Sequence, residues 1–308
     1  MNLALLAAAA TGIQVGAASV ATRFVVGEIA PLTLALLRYA IGAACLVPLA
    51  IALARRDAAR TEQSASTVRP RRAVVVRDWC VMAMLGIGQF GLLIAALNYG
   101  LQTVDAARAA MIFSLFPLLT LLLASALGQE RIHARLLAGV ALAVGGVMVS
   151  LAPKMGTNHA GAWIGELAVL VSAAIGAICS VLYRPYLRQY PVLQVSAYAM
   201  LASVLFLAVA ALSESWPTRL AGIGPTAWAV VVFIGLSSAV GYWLWLYALR
   251  HETATRVTVF LALNPLTAAA FGHWLLDEPL DASIALAVVL ISAGLWFATR
   301  PRVPGTTR

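Results

Sequence analysis

The sequence predicts an all-α membrane protein with ten transmembrane helices, arranged as two inverted repeats of five helices. Three observations predict this fold: an apolar composition, a succession of apolar runs, and a segment that recurs at an offset of 148 positions. Of the 308 residues, 62% are hydrophobic and 11% are charged, and the mean hydropathy is +0.91. Because a soluble domain has roughly 25% charged residues, this composition excludes an ordinary soluble protein.

Each apolar run is long enough for one transmembrane helix, which needs roughly 20 residues to cross the hydrocarbon core. The runs lack the alternation of a membrane β-strand. We expect helices at about 3–22, 32–54, 79–101, 105–127 and 135–152, and at about 163–184, 192–213, 225–249, 254–275 and 282–299. No basic residue precedes the apolar core of the first run, so we expect a retained helix rather than a signal peptide. A long polar loop is expected between Arg55 and Arg77.

A segment of the first half recurs, without a gap, in the second half. Residues 99–151 align with residues 247–299. The aligned pairs include Arg108 with Arg256, Pro117 with Pro265, Glu130 with Glu278, and Gly146 with Gly294. Because Arg, Pro and Glu are scarce types in this chain, their common register indicates duplication. Since each copy has an odd number of helices, we expect residues 1–152 and 153–308 to be two inverted five-helix repeats.

The basic residues predict the orientation in the membrane. The formal charge of +9 could indicate nucleic-acid binding, but the basic residues lie at predicted helix ends rather than on one soluble face. With a cytoplasmic N-terminus, 16 of the 21 basic residues fall in inside loops and four in outside loops. The positive-inside rule therefore predicts that both termini lie in the cytoplasm. Its partner is the lipid bilayer, not nucleic acid.

Polar side chains within the apolar runs are candidates for a substrate cavity, because such groups are costly in hydrocarbon. They are Gln14, Arg38, Tyr39, Gln89, Asn98, Ser114, Glu166, Ser237, Ser238 and Asn264. For the serines, a hydrogen bond to their own helix is the simpler expectation. Gln14, Gln89 and Asn264 fit a cavity or an interhelical hydrogen bond equally well. Arg38 fits outward snorkelling, pairing with Glu166, or contact with a substrate carboxylate, and Glu166 is the candidate for proton coupling.

Aromatic residues form a second set of cavity candidates. They are Tyr99, Trp163, Tyr242 and Trp245. Trp and Tyr also form belts at the depth of the lipid headgroups, so an interfacial position is the alternative for most of them. An aromatic-lined cavity would suit a substrate with an apolar or ring-bearing side chain.

Two prolines stand in the middle of the fourth and ninth predicted helices. Pro117 and Pro265 are aligned by the repeat, and proline removes a backbone hydrogen bond inside a helix. We therefore expect two matched kinks that shape the cavity or take part in gating. Ordinary tolerance of proline in membrane helices is the alternative.

Motifs for several other functions are missing from the sequence. It has no phosphate-binding loop ending in Lys-Ser or Lys-Thr, no His-Glu-x-x-His and no Gly-x-Ser-x-Gly. The three cysteines show no metal spacing, so we interpret them as packing residues. We therefore expect no enzyme, no cofactor and no metal. A membrane enzyme acting on a lipid-linked substrate would need a cluster of His and acidic residues, and a channel would conduct ions without saturation.

The chain resembles the drug/metabolite transporter superfamily, in particular its EamA-type ten-helix members. The resemblance rests on two five-helix units and on the ends of those units, with Pro117, Glu130, Gly139, Gly145 and Gly146 in the first and Asn264, Pro265, Glu278 and Gly294 in the second. The family pattern has a Gly-x-x-x-Gly-Glu-type end after the proline helix. In this chain both ends keep the glutamate but vary around it.

This resemblance implies a basket-shaped bundle in the inner membrane, with helices 1 to 4 and 6 to 9 around a central cavity and helices 5 and 10 at the periphery. It implies export of amino acids or related small metabolites, and aromatic-accepting exporters would fit Tyr99, Trp163 and Tyr242. Sugar-phosphate and drug-like substrates stay open. Inverted repeats are a common basis of alternating access, with the substrate near the midplane. Since one chain supplies both halves, we expect a monomer that takes a small-molecule substrate.

Overall fold

A computed structural model describes residues 2–25, 28–63, 76–100, 103–104, 106–152, 163–276 and 282–299, and almost all of them are helical. We number the helices along the chain. They are α1 Leu3–Arg23, α2 Pro31–Gln63, α3 Val76–Gly100, α4 Ala106–Phe113 with Phe116–Ala126, α5 Ala134–Leu151, α6 Trp163–Gln189, α7 Val192–Ala210, α8 Pro225–His251, α9 Ala254–Thr258 with Leu263–Leu276, and α10 Ala282–Thr299. A short helix, Trp216–Arg219, lies between α7 and α8. Glu278 lies outside the described residues.

The observed helices confirm the prediction of a helical membrane protein. Eight spans in the described part of the chain are long and apolar enough to cross a membrane. Two further apolar helices are shorter, Phe116–Ala126 and Ser283–Thr299. They correspond to the fourth and tenth predicted helices.

The end of α2 differs from the sequence prediction. The polar loop was expected to begin at Arg55, but α2 continues to Gln63. The additional residues include Ala, Arg, Glu and Gln, which are strong helix formers. A helix can therefore extend beyond the apolar run, because its backbone groups are satisfied within the helix even where its side chains are polar.

Both α4 and α9 are interrupted just before the matched prolines. In α4 the break is at residues 114–115, and Pro117 is the second residue of the next segment. In α9 a 3₁₀ turn, Val259–Ala262, precedes the segment that contains Pro265. A proline ring clashes with the carbonyl four residues earlier, so each helix loosens on the N-terminal side of its proline. A third irregularity is the π-helical turn Ile87–Leu92 within α3.

Helices α5 and α10 pack with their backbones in close approach. A Cβ atom on Gly139 would lie 2.6 Å from the backbone nitrogen of Ala298 and 2.8 Å from the carbonyl oxygen of Gly294. A Cβ atom on Gly146 would lie 2.7 Å from Cγ1 of Ile291. The contacts run in opposite directions along the two helices. Small residues permit such an approach, which supplies the van der Waals packing that holds helices together in lipid.

Gly139→Ala is expected to lower the free energy of unfolding by about 1–3 kcal/mol through overpacking, because the added methyl group meets backbone atoms that cannot rotate away. Thermal unfolding in detergent measures the loss. Gly145→Ala is the matched control on the same helix, since a Cβ atom there has nothing within 4 Å. Equal midpoints for the two variants would contradict the close approach of α5 and α10.

Two glycines allow similar close contacts in the two halves. A Cβ atom on Gly16 in α1 would lie 2.7 Å from the carbonyl oxygen of Asn264 in α9. A Cβ atom on Gly176 in α6 would lie 2.8 Å from Cζ of Phe116 in α4. Phe116 and Asn264 are aligned by the sequence repeat. Each broken helix is therefore held against a long helix at the residue that precedes its proline.

Candidate substrate site

Four aromatic side chains from four helices meet in the buried core. We call Tyr39 of α2, Phe90 of α3, Tyr183 of α6 and Tyr242 of α8 the aromatic cluster. The ring of Phe90 lies 4.6 Å from that of Tyr39 and 4.4 Å from that of Tyr242, centroid to centroid. The hydroxyl of Tyr242 donates a hydrogen bond of 2.9 Å to the hydroxyl of Tyr183. Two of these helices belong to each predicted repeat, so the cluster joins the halves.

Trp245 and Gln89 add polar atoms to the buried core. Trp245 packs 6.5 Å from the ring of Phe116. Its Nε1 donor and the Oε1 acceptor of Gln89 are both buried and have no hydrogen-bond partner among the described residues. An unsatisfied buried polar atom costs about 1–3 kcal/mol. Such atoms in a well-packed core are therefore candidates for contact with a ligand or a water molecule.

Arg38 forms a polar contact between α2 and α8. Its Nε donates to Oγ of Ser238 at 2.5 Å, and Ser238 donates to the carbonyl of Ile234 at 2.6 Å. The guanidinium carbon lies 5.4 Å from the ring centroid of Tyr39. No carboxylate in the described part of the chain pairs with Arg38. The pairing with Glu166 that the sequence left open is therefore not formed.

Gln14 and the serines of α8 make hydrogen bonds that the sequence analysis considered. Nε2 of Gln14 donates to Oγ of Ser237 at 3.1 Å, which is an interhelical bond between α1 and α8. Ser237 and Ser238 both donate to the carbonyl of Ile234 in their own helix. The bond of Gln14 does not exclude a cavity role, because its amide has further hydrogen-bonding capacity.

The other predicted site residues lie apart from the aromatic cluster or are only partly buried. Tyr99 and Trp163 are 56% and 66% exposed, at the end of α3 and the start of α6. Such exposure is typical of an interfacial belt, and their cavity role stays a prediction. The partly buried residues are Asn98, Ser114, Glu166 and Asn264, with Pro265 beside Asn264 and the buried Pro117 close to Ser114.

Sequence reasoning missed three residues of this core: Phe90, Tyr183 and Phe116. Each was one apolar aromatic side chain among many in a long apolar run, and only the approach of four helices brings them together. A weak signal was present, because Phe90 follows the predicted Gln89 and Phe116 precedes Pro117.

Glu130 connects the end of α4 to the start of α9. It is 7% exposed, and its Oε1 accepts a hydrogen bond of 3.1 Å from the backbone nitrogen of Thr255. We call this bond the inter-repeat cap. The other oxygen is buried without a partner among the described residues. Arg184, which is 8% exposed, lies within electrostatic reach of Glu130 and Glu252. This buried charge cluster holds together the ends of α4, α6 and α8.

A second carboxylate, that of Glu214, caps the N-terminus of α2. The two carboxylate oxygens of Glu214 accept hydrogen bonds from the backbone nitrogens of Leu32 and Thr33, at 3.0 and 2.7 Å. The N-terminus of a helix carries a partial positive charge, so a carboxylate is favourable there. The contact ties the segment after α7 to the start of α2, and thus one predicted repeat to the other.

An apolar groove of about 390 Å³ opens between α1, α8 and α9. Its walls include Phe24, Phe233 and Phe271, and Thr226 supplies one hydroxyl. Its described lining residues include none of the predicted site residues and no charged group. The groove is therefore a poor candidate for the site of a polar metabolite.

Comparison with known proteins identifies a family that the chain matches. A model of the EamA-like transporter family matches residues 2–152 and 163–300. A solved crystal structure that is 23% identical covers 96% of both chains with a TM-score of 0.77. At that identity the likeness shows the fold alone, and it agrees with the helical architecture described above.

Similar sequences are named as transporters. An uncharacterized transporter of Archaeoglobus fulgidus is 27% identical and covers 83% of this chain and 90% of its own. A probable terminal-alkyne amino-acid exporter of Streptantibioticus cattleyicolor is 29% identical over 68% and 69%. A probable amino-acid metabolite efflux pump of Escherichia coli is 27% identical over 69% and 72%. The family match covers nearly the whole chain, and the resemblance inferred from the sequence is confirmed: this protein belongs to the EamA-like transporter family of multi-pass membrane proteins.

Proposed function

We propose that the protein exports amino acids or related small metabolites across the inner membrane by alternating access. The observation that carries the proposal is the buried core between the halves. This core contains the aromatic cluster, and the buried atoms Oε1 of Gln89 and Nε1 of Trp245 have no hydrogen-bond partner among the described residues. Two relatives whose names refer to amino acids support the choice of substrate class. In this proposal the chain acts as a monomer with cytoplasmic termini and is not an enzyme.

The proposal includes ten spans in two inverted repeats, and reciprocal contacts support it. Gly294 meets Gly139 across the α5–α10 contact, and Gly146 meets Ala287. The sequence repeat aligns Gly146 with Gly294 and Gly139 with Ala287, so each helix uses the same positions against the other. Such self-complementary contacts are expected around a two-fold axis. The matched breaks before Pro117 and Pro265 also support the two-fold relation.

Alternating access requires contacts between the halves that form and break. The inter-repeat cap at Glu130 and the Glu214 contact with the start of α2 are such contacts, because each joins a residue of one half to the other half. The aromatic cluster lies between α2 and α3 of the first half and α6 and α8 of the second. In the proposed cycle the cap and the cluster rearrange, while the breaks in α4 and α9 absorb the bending.

Uptake into proteoliposomes tests this function, with radiolabelled amino acids beside drug-like and sugar-phosphate compounds. We expect saturable flux of at least one amino acid. Trp245→Ala should raise its KM about tenfold, as truncation of a buried aromatic contact does. Trp274→Ala is the matched control, because Trp274 is 74% exposed on α9, and it should leave KM unchanged. Saturable flux confined to the other two compound classes would refute the amino-acid assignment.

A further inference from the structure

We propose that the guanidinium of Arg38, positioned by its hydrogen bond to Ser238, forms the subsite that binds the carboxylate of the exported substrate. This inference rests on the export function proposed above and names the chemical group that the central site recognises. The occupant is a small carboxylic acid with an apolar or aromatic side chain.

The guanidinium group of Arg38 lies beside the middle of a membrane-spanning helix. Ser238 lies midway along the 27-residue helix α8, about 20 Å from either end at 1.5 Å per residue. Because Nε of Arg38 donates to Ser238, the charge is held at that depth. Arg38 therefore does not snorkel to the end of its helix, which is the usual solution for an arginine in a membrane span.

A second observation concerns the partners that the guanidinium lacks. An arginine has five N–H donors, and within the described residues the side chain of Arg38 bonds only to Ser238. No described carboxylate neutralises it, yet its side chain is only partly buried. A charge at mid-depth is costly unless it faces an aqueous cavity or an anion. The two terminal nitrogens are suited to a carboxylate, which binds a guanidinium through two parallel hydrogen bonds.

A third observation is the surface beside the guanidinium. Tyr39 follows Arg38 in the chain, its ring lies 5.4 Å from the guanidinium carbon, and it packs on Phe90 in the aromatic cluster. An acid held by Arg38 would therefore have aromatic rings next to it. Apolar and aromatic side chains pack well on such rings, which sets the substrate class.

A structural role is the alternative, in which Arg38 only ties α2 to α8 through Ser238. The two roles differ in what the substrate must carry. A tether is indifferent to the substrate, whereas a carboxylate subsite discriminates an acid from its amide. Ser238→Ala removes the tether but keeps the charge, so it separates the hydrogen bond from the positive charge.

The experiment measures binding and flux of L-phenylalanine, L-leucine and L-methionine, each beside its carboxamide, with purified protein in proteoliposomes. The wild type should bind at least one acid more tightly than its amide. Arg38→Gln should weaken binding of that acid about 10- to 100-fold, the range of a lost charged hydrogen bond, and leave binding of the amide unchanged. Ser238→Ala keeps the guanidinium and should keep most of the preference for the acid. Arg38→Lys keeps the charge but loses the bidentate geometry, so its preference should lie between those of the wild type and Arg38→Gln.

A matched control is Arg135→Gln, which removes one positive charge from the exposed start of α5; it should behave as the wild type. If the wild type transports an acid but Arg38→Gln weakens acid and amide alike, or neither, the subsite is refuted and the export function stands. If Arg38→Gln does not fold, Arg38→Lys decides: weaker binding of the acid with unchanged binding of the amide supports the subsite, and any other result refutes it. If the wild type binds none of the three acids, the subsite and the amino-acid assignment are both refuted.

Discussion

Tyr242→Ala is expected to lower the free energy of unfolding by about 3–5 kcal/mol, as other aromatic-to-alanine changes in a core do, and to abolish saturable flux. The ring of Tyr242 is 6% exposed, lies 4.4 Å from Phe90, and donates its hydroxyl to Tyr183, which is fully buried. Truncation leaves a cavity where two helices of each half meet, and the hydroxyl of Tyr183 loses the donor of its hydrogen bond. Thermal unfolding in detergent and proteoliposome flux measure the two effects.

Two variants show how much of that effect comes from the ring. Tyr242→Phe keeps the ring and loses only the bond to Tyr183, so it should cost about 1–3 kcal/mol, the cost of leaving a buried group unpaired. Trp243→Ala changes the next residue of α8, whose side chain is 38% exposed, and should cost little. If Trp243→Ala were as damaging as Tyr242→Ala, the aromatic cluster would not be the contact that joins the halves.

Glu130→Ala is expected to lower the free energy of unfolding by about 1.5–3 kcal/mol, the net strength of a hydrogen bond to a charged group. The change removes the acceptor for the backbone nitrogen of Thr255, which lies in the first turn of α9. It also removes a negative charge within electrostatic reach of the buried Arg184. The end of the bundle at which α4, α8 and α9 meet should therefore open more often.

A cysteine at Thr255 reports that opening, because the residue is fully buried. In the Glu130→Ala background it should react faster with a water-soluble thiol reagent than in the wild-type background. Glu130→Gln keeps an oxygen acceptor and should lie between the two. Glu28→Ala, at an exposed position in the α1–α2 connection, is the matched control. Equal labelling rates in all four backgrounds would show that the inter-repeat cap does not hold this end closed.

The helical fold could be predicted from the sequence because the bilayer sets strict limits on a chain. A helix must present about 20 apolar residues to hydrocarbon, so the positions of the apolar runs located nearly every span. The break before Pro117 could be anticipated because it depends on a local clash of the proline ring. The extension of α2 to Gln63 could not be predicted from hydropathy, because the apolar run ends at Arg55. The residues after it still favour a helix.

The candidate site was less predictable, because its contacts join residues far apart in the chain. Glu130 and Thr255 are 125 positions apart, and no local pattern pairs them. Tyr242 was predicted as an aromatic cavity residue, but its neighbour Phe90 has no polar atom to distinguish it from other phenylalanines. Arg38 was recognised as a charge within a span. The sequence left three roles open for it: snorkelling, pairing with Glu166, and contact with a substrate carboxylate. To choose among them required the position of Ser238, which only the tertiary structure provides.

The inverted relation of the two halves is the central claim, and cysteine accessibility from the two sides of the membrane tests it most directly. Thr103 and His251 are both exposed and are aligned by the sequence repeat. Single cysteines at these positions, in a protein whose Cys45, Cys80 and Cys179 are replaced by serine or alanine, should react with an impermeant reagent from opposite sides. We expect position 103 to react from outside and position 251 from the cytoplasm. Labelling of both cysteines from the same side would contradict the account.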